Sequence, residues 1–243
     1  MLPIRDDKMK DRKDQMYEAF VAVMLSFTGG ILDIYCLFNY NVYAMLHTGN
    51  VIKLAMYLAD GNMMMFWTTF TIVFAFAAGI LLANMYEDKR KIKGRKNLLV
   101  IAILILAAAA LIPNDRDPGV LSTLKLIAAS LFGFEGAFLV HSFIKFGEYT
   151  FSATTMTANI NRLVTNLYKR LSTNDKSYNY SVFVYLLIIG FFMLGVGTGY
   201  IYLNKITTPA SEFMALYRYN RFLLVPLACL LILLAVPAPG REQ

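Results

Sequence analysis

Two cysteines, Cys36 and Cys229, are too few for a disulfide framework and too far apart for a paired-ligand metal motif. Histidine is equally scarce. His47 and His141 are the only two, and neither has acids beside it at ligand spacing, so no metal centre is expected. Charged residues make up only 16% of the chain, against about 25% in an average soluble domain. The loops between apolar blocks are too short to hold a soluble domain. A phosphate-cradling glycine loop, a nucleophile elbow, an HExxH helix and a pair of catalytic carboxylates are all missing, so neither an enzyme signature nor a cofactor is expected. Short alternating strands of the kind that build a membrane β-barrel are missing too. A cleavable signal peptide is not expected. Residues 1–15 carry both signs of charge, and the first apolar block is too long for a signal core and lacks a small-x-small cleavage site.

What the chain has is apolar length: 58% of its 243 residues are hydrophobic. A helix needs roughly 20 mostly apolar residues to cross the hydrocarbon. Segments 19–38, 66–86, 121–144 and 181–203 meet that length, and 97–113 and 221–237 come near its lower limit. In lipid each backbone N–H and C=O must be paired within the chain, so such blocks must be helices. The expected fold is an all-α integral membrane protein.

The net charge of +7 is read as orientation rather than as a nucleic-acid surface, because cytoplasmic loops collect Lys and Arg. The densest cluster is Lys89, Arg90, Lys91, Lys93, Arg95 and Lys96; the N-terminal arm adds Arg5, Lys8, Lys10, Arg12 and Lys13. If both are cytoplasmic, segment 41–59 (NVYAMLHTGNVIKLAMYLA) cannot cross. A Lys at a helix centre also costs about 2.5–3.5 kcal/mol to insert, and Lys53 lies within this segment. The segment is therefore expected to be a re-entrant or half-span helix. Segment 151–171 is too polar to span and is read likewise. The resulting topology has six transmembrane helices, two half-helices and both termini cytoplasmic. All Lys and Arg fit it except Lys53, Arg116, Lys125, Lys205, Arg218 and Arg221.

The halves match in order. Gly30 pairs with Gly136, Thr48-Gly49-Asn50 with Thr157-Ala158-Asn159, Gly79-x4-Asn84 with Gly199-x4-Asn204, and the apolar run ending at Pro113 with that ending at Pro237. The expected organisation is a cytoplasmic arm (1–18), a first repeat (19–113) and a second repeat (121–237) within one membrane domain. Three crossings per half turn the second copy upside down, giving a 3+3 inverted-topology repeat of the kind found in transporters.

Gly-Gly-Ile-Leu-Asp at 29–33, followed by His-Thr-Gly-Asn at 47–50, resembles the first signature of the YoaK-like family of small bacterial membrane proteins. Thr-Thr-Met-Thr-Ala-Asn at 154–159 is similar to its second signature, with Ala158 where glycine is usual. The polar pair usual after the second-half glycine stands here as Phe138 and Leu139. The resemblance runs over roughly 19–237. It implies topology and a place in the bacterial cytoplasmic (inner) membrane. The family is of uncharacterised function, so no mechanism follows from it.

Candidate functional residues are the polar groups inside apolar blocks. Asp33 and Glu135 are acids within spans, costly there and by default functional; the alternatives are a hydrated interface for Asp33 and a neutral, hydrogen-bonded acid for Glu135. Thr48, Asn50, Thr157 and Asn159 would either contact a solute at the half-helix starts or hold helices together. Asp33, His47, Glu135 and His141 are the candidates for proton linkage. Lys53 and Arg162 could attract anions or reach for headgroups. Ala75-x3-Gly79 and Gly195-x3-Gly199 are expected to bring spans together, conceivably against each other or across a homo-oligomer. The function expected is a small secondary transporter or channel for a small solute or ion, its site between the two half-helices. The alternatives are a non-catalytic membrane partner or regulator, and a membrane enzyme using Asp33, Glu135 and His141 on a lipid.

Overall fold

The computed structural model describes residues 4–90, 95–113, 123–142, 145–146, 149–150, 156–205 and 220–236. They form helices α1 (Ile4–Tyr40), α2 (His47–Ala59), α3 (Met63–Arg90), α4 (Arg95–Ala110), α5 (Thr123–Ser142), α6 (Met156–Thr173), α7 (Tyr178–Lys205) and α8 (Leu224–Ala235). A single 3-10 turn, Asn220–Leu223, leads into α8. The one pairing of strands described is two residues long, Lys145–Phe146 against Tyr149–Thr150.

Four of these helices contain stretches long and apolar enough to cross a membrane: Gln15–Tyr40, Met63–Tyr86, Thr123–His141 and Tyr178–Lys205. Asn97–Ala110 and Asn220–Ala235 are shorter apolar helices. At about 1.5 Å per residue they reach roughly 21–24 Å, short of a hydrocarbon core of roughly 30 Å. Residues 4–18 of the N-terminal arm continue into α1 without a break. No Gly or Pro interrupts residues 4–28, and extending an existing helix is far easier than starting one. The basic run 89–96 falls at the α3–α4 connection; its residues 91–94 lie outside the described residues, as do Arg116, Arg218, Pro237 and the first two residues of the second signature, Thr154 and Thr155.

Burial sets the layers. Of an apolar 18-residue stretch in each span, 78% lies inside the molecule for α1 and 50% for α5, against 28% for α3 and 22% for α7. Thus α1 and α5 form the centre and α3 and α7 the flanks. The flanks turn Phe70, Phe74 and Leu81, and Phe183, Leu186 and Met193, outward. Helix α1 packs on α7, α5 and α8, while α5 packs also on α3 and α4. Helix α2 lies on α3, α6 on α7, and α4 meets α8. Lipid is as apolar as Leu, so close fit rather than water exclusion holds such helices together. Glycine supplies that fit at two crossings. A Cβ on Gly30 would strike the Phe192 carbonyl oxygen, and one on Gly195 the Phe27 carbonyl oxygen. On the other side a Cβ on Gly133 would stand 2.5 Å from the Ile72 carbonyl oxygen. Gly133, three residues before the Gly136 expected from sequence, therefore does for α5 on α3 what Gly30 does for α1 on α7. The small-residue pairs likewise do not face each other: Ala75 and Gly79 meet Gly133 and Ala137 of α5, and Gly195 and Gly199 meet Phe27 and Ile34 of α1.

The turns are built from side chains suited to them. Helix α1 ends at Asn41, whose φ of 55° is left-handed; Asn tolerates that region. Its N–H closes on Leu37 O at 3.1 Å. Helix α2 ends in a Schellman motif. Gly61 has φ 68°, Asn62 N–H reaches Tyr57 O at 2.9 Å and Gly61 N–H reaches Leu58 O at 3.3 Å. Asn62 then caps α3 by accepting from Met65 N–H at 3.2 Å, and the chain reverses within three residues. In the exposed turn before α7, the Ser177 N–H bonds to Asp175 at 2.9 Å and, with the Ser177 side chain, holds that carboxyl below its ordinary range.

Candidate site at the contact of α1, α5 and the start of α2

Between the end of α1 and the start of α2 the chain runs irregularly through residues 41–46. It is an irregular segment among apolar helices, tolerable only where its backbone groups find partners. Two side chains provide them. Asn50 is fully buried and holds Tyr43 by both backbone groups: its Oδ1 accepts the Tyr43 N–H at 2.8 Å and its Nδ2 donates to Tyr43 O at 2.7 Å. Asp33, on the buried face of α1, accepts the Met45 N–H at 2.8 Å. The carbonyl of the same peptide unit, Ala44 O, lies 2.9 Å from where a Cβ on Gly136 would stand. Only glycine lets α5 come this close.

Three N–H groups at the start of α2 find partners within the chain. His47 N–H bonds to Met45 O at 3.0 Å, and Gly49 and Asn50 N–H groups share Leu46 O at 3.0 and 3.3 Å. The acid at this helix end is Asp33 itself, which suits the dipole there.

Glu135 sits beside Gly136 on α5 with no solvent exposure, and among the described residues neither of its carboxylate oxygens has a hydrogen-bond partner. The Oδ2 of Asp33 is in the same state. Glu135 and Asp33 interact electrostatically, and Cys36, three residues further along α1, feels both. His47 is close by sequence to this loop. Its ring lies on Phe76 of α3 at 3.8 Å between centroids, its Nδ1 is 3.5 Å from Asn50 Nδ2, and its Nε2 is buried without a partner. Ser26, buried and with its hydroxyl unpartnered, stands seven residues before Asp33, on the same face of α1.

The other candidates fall elsewhere. Thr48 and Thr157 are exposed and point away from the buried Asn of their own helices. Asn159 is fully buried, as Asn50 is, and each is the fourth residue of its helix. His141 is in the last turn of α5, about 9 Å along the axis from Glu135 and on another face. Lys53 finds partners within the chain. Its Nζ donates to Asn41 O at 2.8 Å and to Asn41 Oδ1 at 3.1 Å and lies 4.7 Å from the centre of the Tyr43 ring. It caps the negative end of α1. Arg162 is half-buried with Nη1 unpartnered among the described residues.

Sequence reasoning missed a second polar knot. Asn220 donates from Nδ2 to Ala110 O at 3.0 Å and to Ile112 O at 2.6 Å, and accepts from the Tyr35 hydroxyl at 2.5 Å. It thereby satisfies the open carbonyls at the end of α4 and ties them to α1. The Tyr35 ring packs with Tyr40 and Phe132 at 6.3 and 5.4 Å. The available signal was an Asn two residues before an apolar run.

Fold and site together define a helical protein of membrane type with a polar cluster enclosed between its two central helices. The chain belongs to the DUF1275 family, described as protein of unknown function, whose model matches residues 21–236 and so covers both halves. No curated protein and no solved structure matches the chain.

Proposed function

We propose that this protein is a small secondary transporter or channel for a small solute, placed in the bacterial cytoplasmic membrane with both termini cytoplasmic. In this reading α1, α3, α4, α5, α7 and α8 cross, and α2 and α6 are half-helices entered from opposite faces. The observation that carries the proposal is the symmetry of the contacts. Exchange α1 with α5, α2 with α6, α3 with α7 and α4 with α8. The contact α1–α7 then becomes α5–α3, α2–α3 becomes α6–α7, and α1–α8 becomes α5–α4, all of which are present. The glycine contacts follow the same exchange, with Gly30 and Gly195 answered by Gly133 and Ala75. So do the starts of α2 and α6, each with its buried Asn in the fourth place. Two upside-down copies around a buried polar centre are the frame of alternating access. The translocation path is placed at the α1–α5 contact, along Asp33, Glu135 and the 41–46 segment.

The test is swelling of proteoliposomes containing the purified chain, followed by light scattering. The solutes are urea, glycerol, formate, acetate, nitrate, ammonium, glycine and alanine. At least one should enter faster than in protein-free vesicles, and Gly136→Val, which blocks the α5 approach, should abolish the difference. Entry at the protein-free rate for the whole panel would count against transport and favour a non-catalytic membrane partner.

A further inference from the structure

We propose that Asp33 and Glu135 together form a binding site for one monovalent cation, a proton or an alkali ion, which couples to movement along the α1–α5 contact. The inference rests on the transporter reading for its role and on geometry for its existence. Both side chains are buried, at 4% and 0% exposure. Among the described residues three of their four oxygens have no hydrogen-bond partner, and the peptide whose Met45 N–H bonds to Asp33 sets its Ala44 carbonyl against Gly136, the neighbour of Glu135. Two negative charges enclosed at one helix contact, away from water, lose their hydration and repel, so such a pair favours taking up one positive charge.

The surroundings offer that charge no protein source. Among the described residues neither acid forms an ion pair. Lys53 is spent on Asn41. From α1 the neighbouring ionisable groups are Cys36, Tyr35 and Tyr40; from α2 the nearest in sequence is His47, against Phe76. Helix α3 from Met63 to Met85 and α4 from Asn97 to Ala110 carry no ionisable side chain, and α5 itself adds Lys125 and His141, ten and six residues from Glu135. The described residues contain no group of three His, Cys, Asp or Glu that could hold a metal ion. That count of ligands suits a singly charged ion better than a divalent one. The site is also anchored. Met45 N–H fixes one oxygen of Asp33 and leaves the other for the ion, and α5 is held beside it by Gly136 against Ala44.

The exchange balances simply: the protonated pair takes up one alkali ion and releases one proton. The experiment uses the full chain in detergent, weakly buffered with a pH indicator, and adds NaCl, KCl or choline chloride. Infrared spectra of the carboxylic-acid carbonyl are recorded in parallel. If an alkali ion is bound, Na+ or K+ but not choline releases about one proton per chain, and Glu135→Gln removes the release. If the proton alone is bound, no release is seen. Wild type then shows a protonated-carboxyl band near neutral pH that Glu135→Gln shifts or removes. Asp33→Asn, which keeps an acceptor for Met45 N–H, is the second variant. Should both variants fail to fold, wild type alone decides between the two signals. Absence of ion-linked proton release together with absence of a protonated-carboxyl band overturns the proposal. Solute flux with unchanged sodium and pH dependence in Glu135→Gln would overturn the cation site and leave the transporter reading intact. A bound cation without flux of any solute would do the reverse.

Discussion

Asp33 and Gly136 face opposite ends of a single peptide group. The Met45 N–H points at the Asp33 carboxylate at 2.8 Å, and the Ala44 carbonyl of the same peptide points at the bare face of Gly136. One strand of irregular chain is thus wedged between the two central helices, addressed by an acid from α1 and by the lack of a side chain on α5.

Because Asn50 answers both backbone groups of Tyr43, replacing it should be felt as folding rather than as lost ligand contact. Asn50→Ala leaves a buried N–H and a buried C=O unpaired, with an expected loss of about 2–4 kcal/mol. Asn50→Asp, keeping the acceptor only, should fall between. Thermal unfolding in detergent measures both. A wild-type midpoint for Asn50→Ala would mean the clamp carries no weight.

Gly30→Ala and Gly195→Ala each drive a methyl group into a facing carbonyl, and α1 and α7 must separate. Each should lower stability by about 1–3 kcal/mol. Gly190 and Gly197 lie on α7 too, but with open space where a Cβ would be, so Ala there should leave the melting point unchanged or slightly raised. Equal losses at all four positions would show that helix propensity, not close approach, governs them.

Lys53→Met removes the amine that caps Asn41. The expected loss is about 0.3–1 kcal/mol, with partial retention in Lys53→Arg and no change in any anion dependence of flux. A stable Lys53→Met variant with altered anion flux would return Lys53 to the solute path.

Topology is open to direct labelling. In a background free of Cys36 and Cys229, Asp60→Cys in the turn after α2 should react with an impermeant maleimide added outside the cell. Lys176→Cys in the turn after α6 should react only once the membrane is opened. Labelling of both from one side would remove the inverted arrangement.

Tyr35→Phe deletes one bond to Asn220, an expected loss of about 1 kcal/mol, whereas Asn220→Ala also strands Ala110 O and Ile112 O and should cost about 2–4 kcal/mol. Chemical denaturation of the two variants side by side would test the ranking, and equal effects would contradict it.

The helices were legible because their cause is local. Apolar length in lipid demands a helix, and the interruption at His47–Lys53 and the polarity of 151–171 placed two helices, α2 and α6, where no span could be. The buried acids were legible for the same reason, since a charge inside an apolar run stands out. The close approach of α5 to α3 at Gly133 was not legible, because two glycines on one helix look alike until a partner backbone selects between them. The bond from Lys53 to Asn41, twelve residues away, was not legible either, because only the fold of 41–46 brings the two near.

By itself the sequence determined which segments are helices, where the chain must break, and which polar residues would lie among apolar ones. These follow from the hydrophobicity and backbone pairing of each segment taken alone. Only the tertiary structure decided that Asn50 and Lys53 serve the backbone of 41–46, that Asn220 closes α4, and that Asp33 and Glu135 keep three oxygens unanswered. Hydrogen bonds and charges act over a few ångströms, and which groups come that close depends on how whole helices lie against one another.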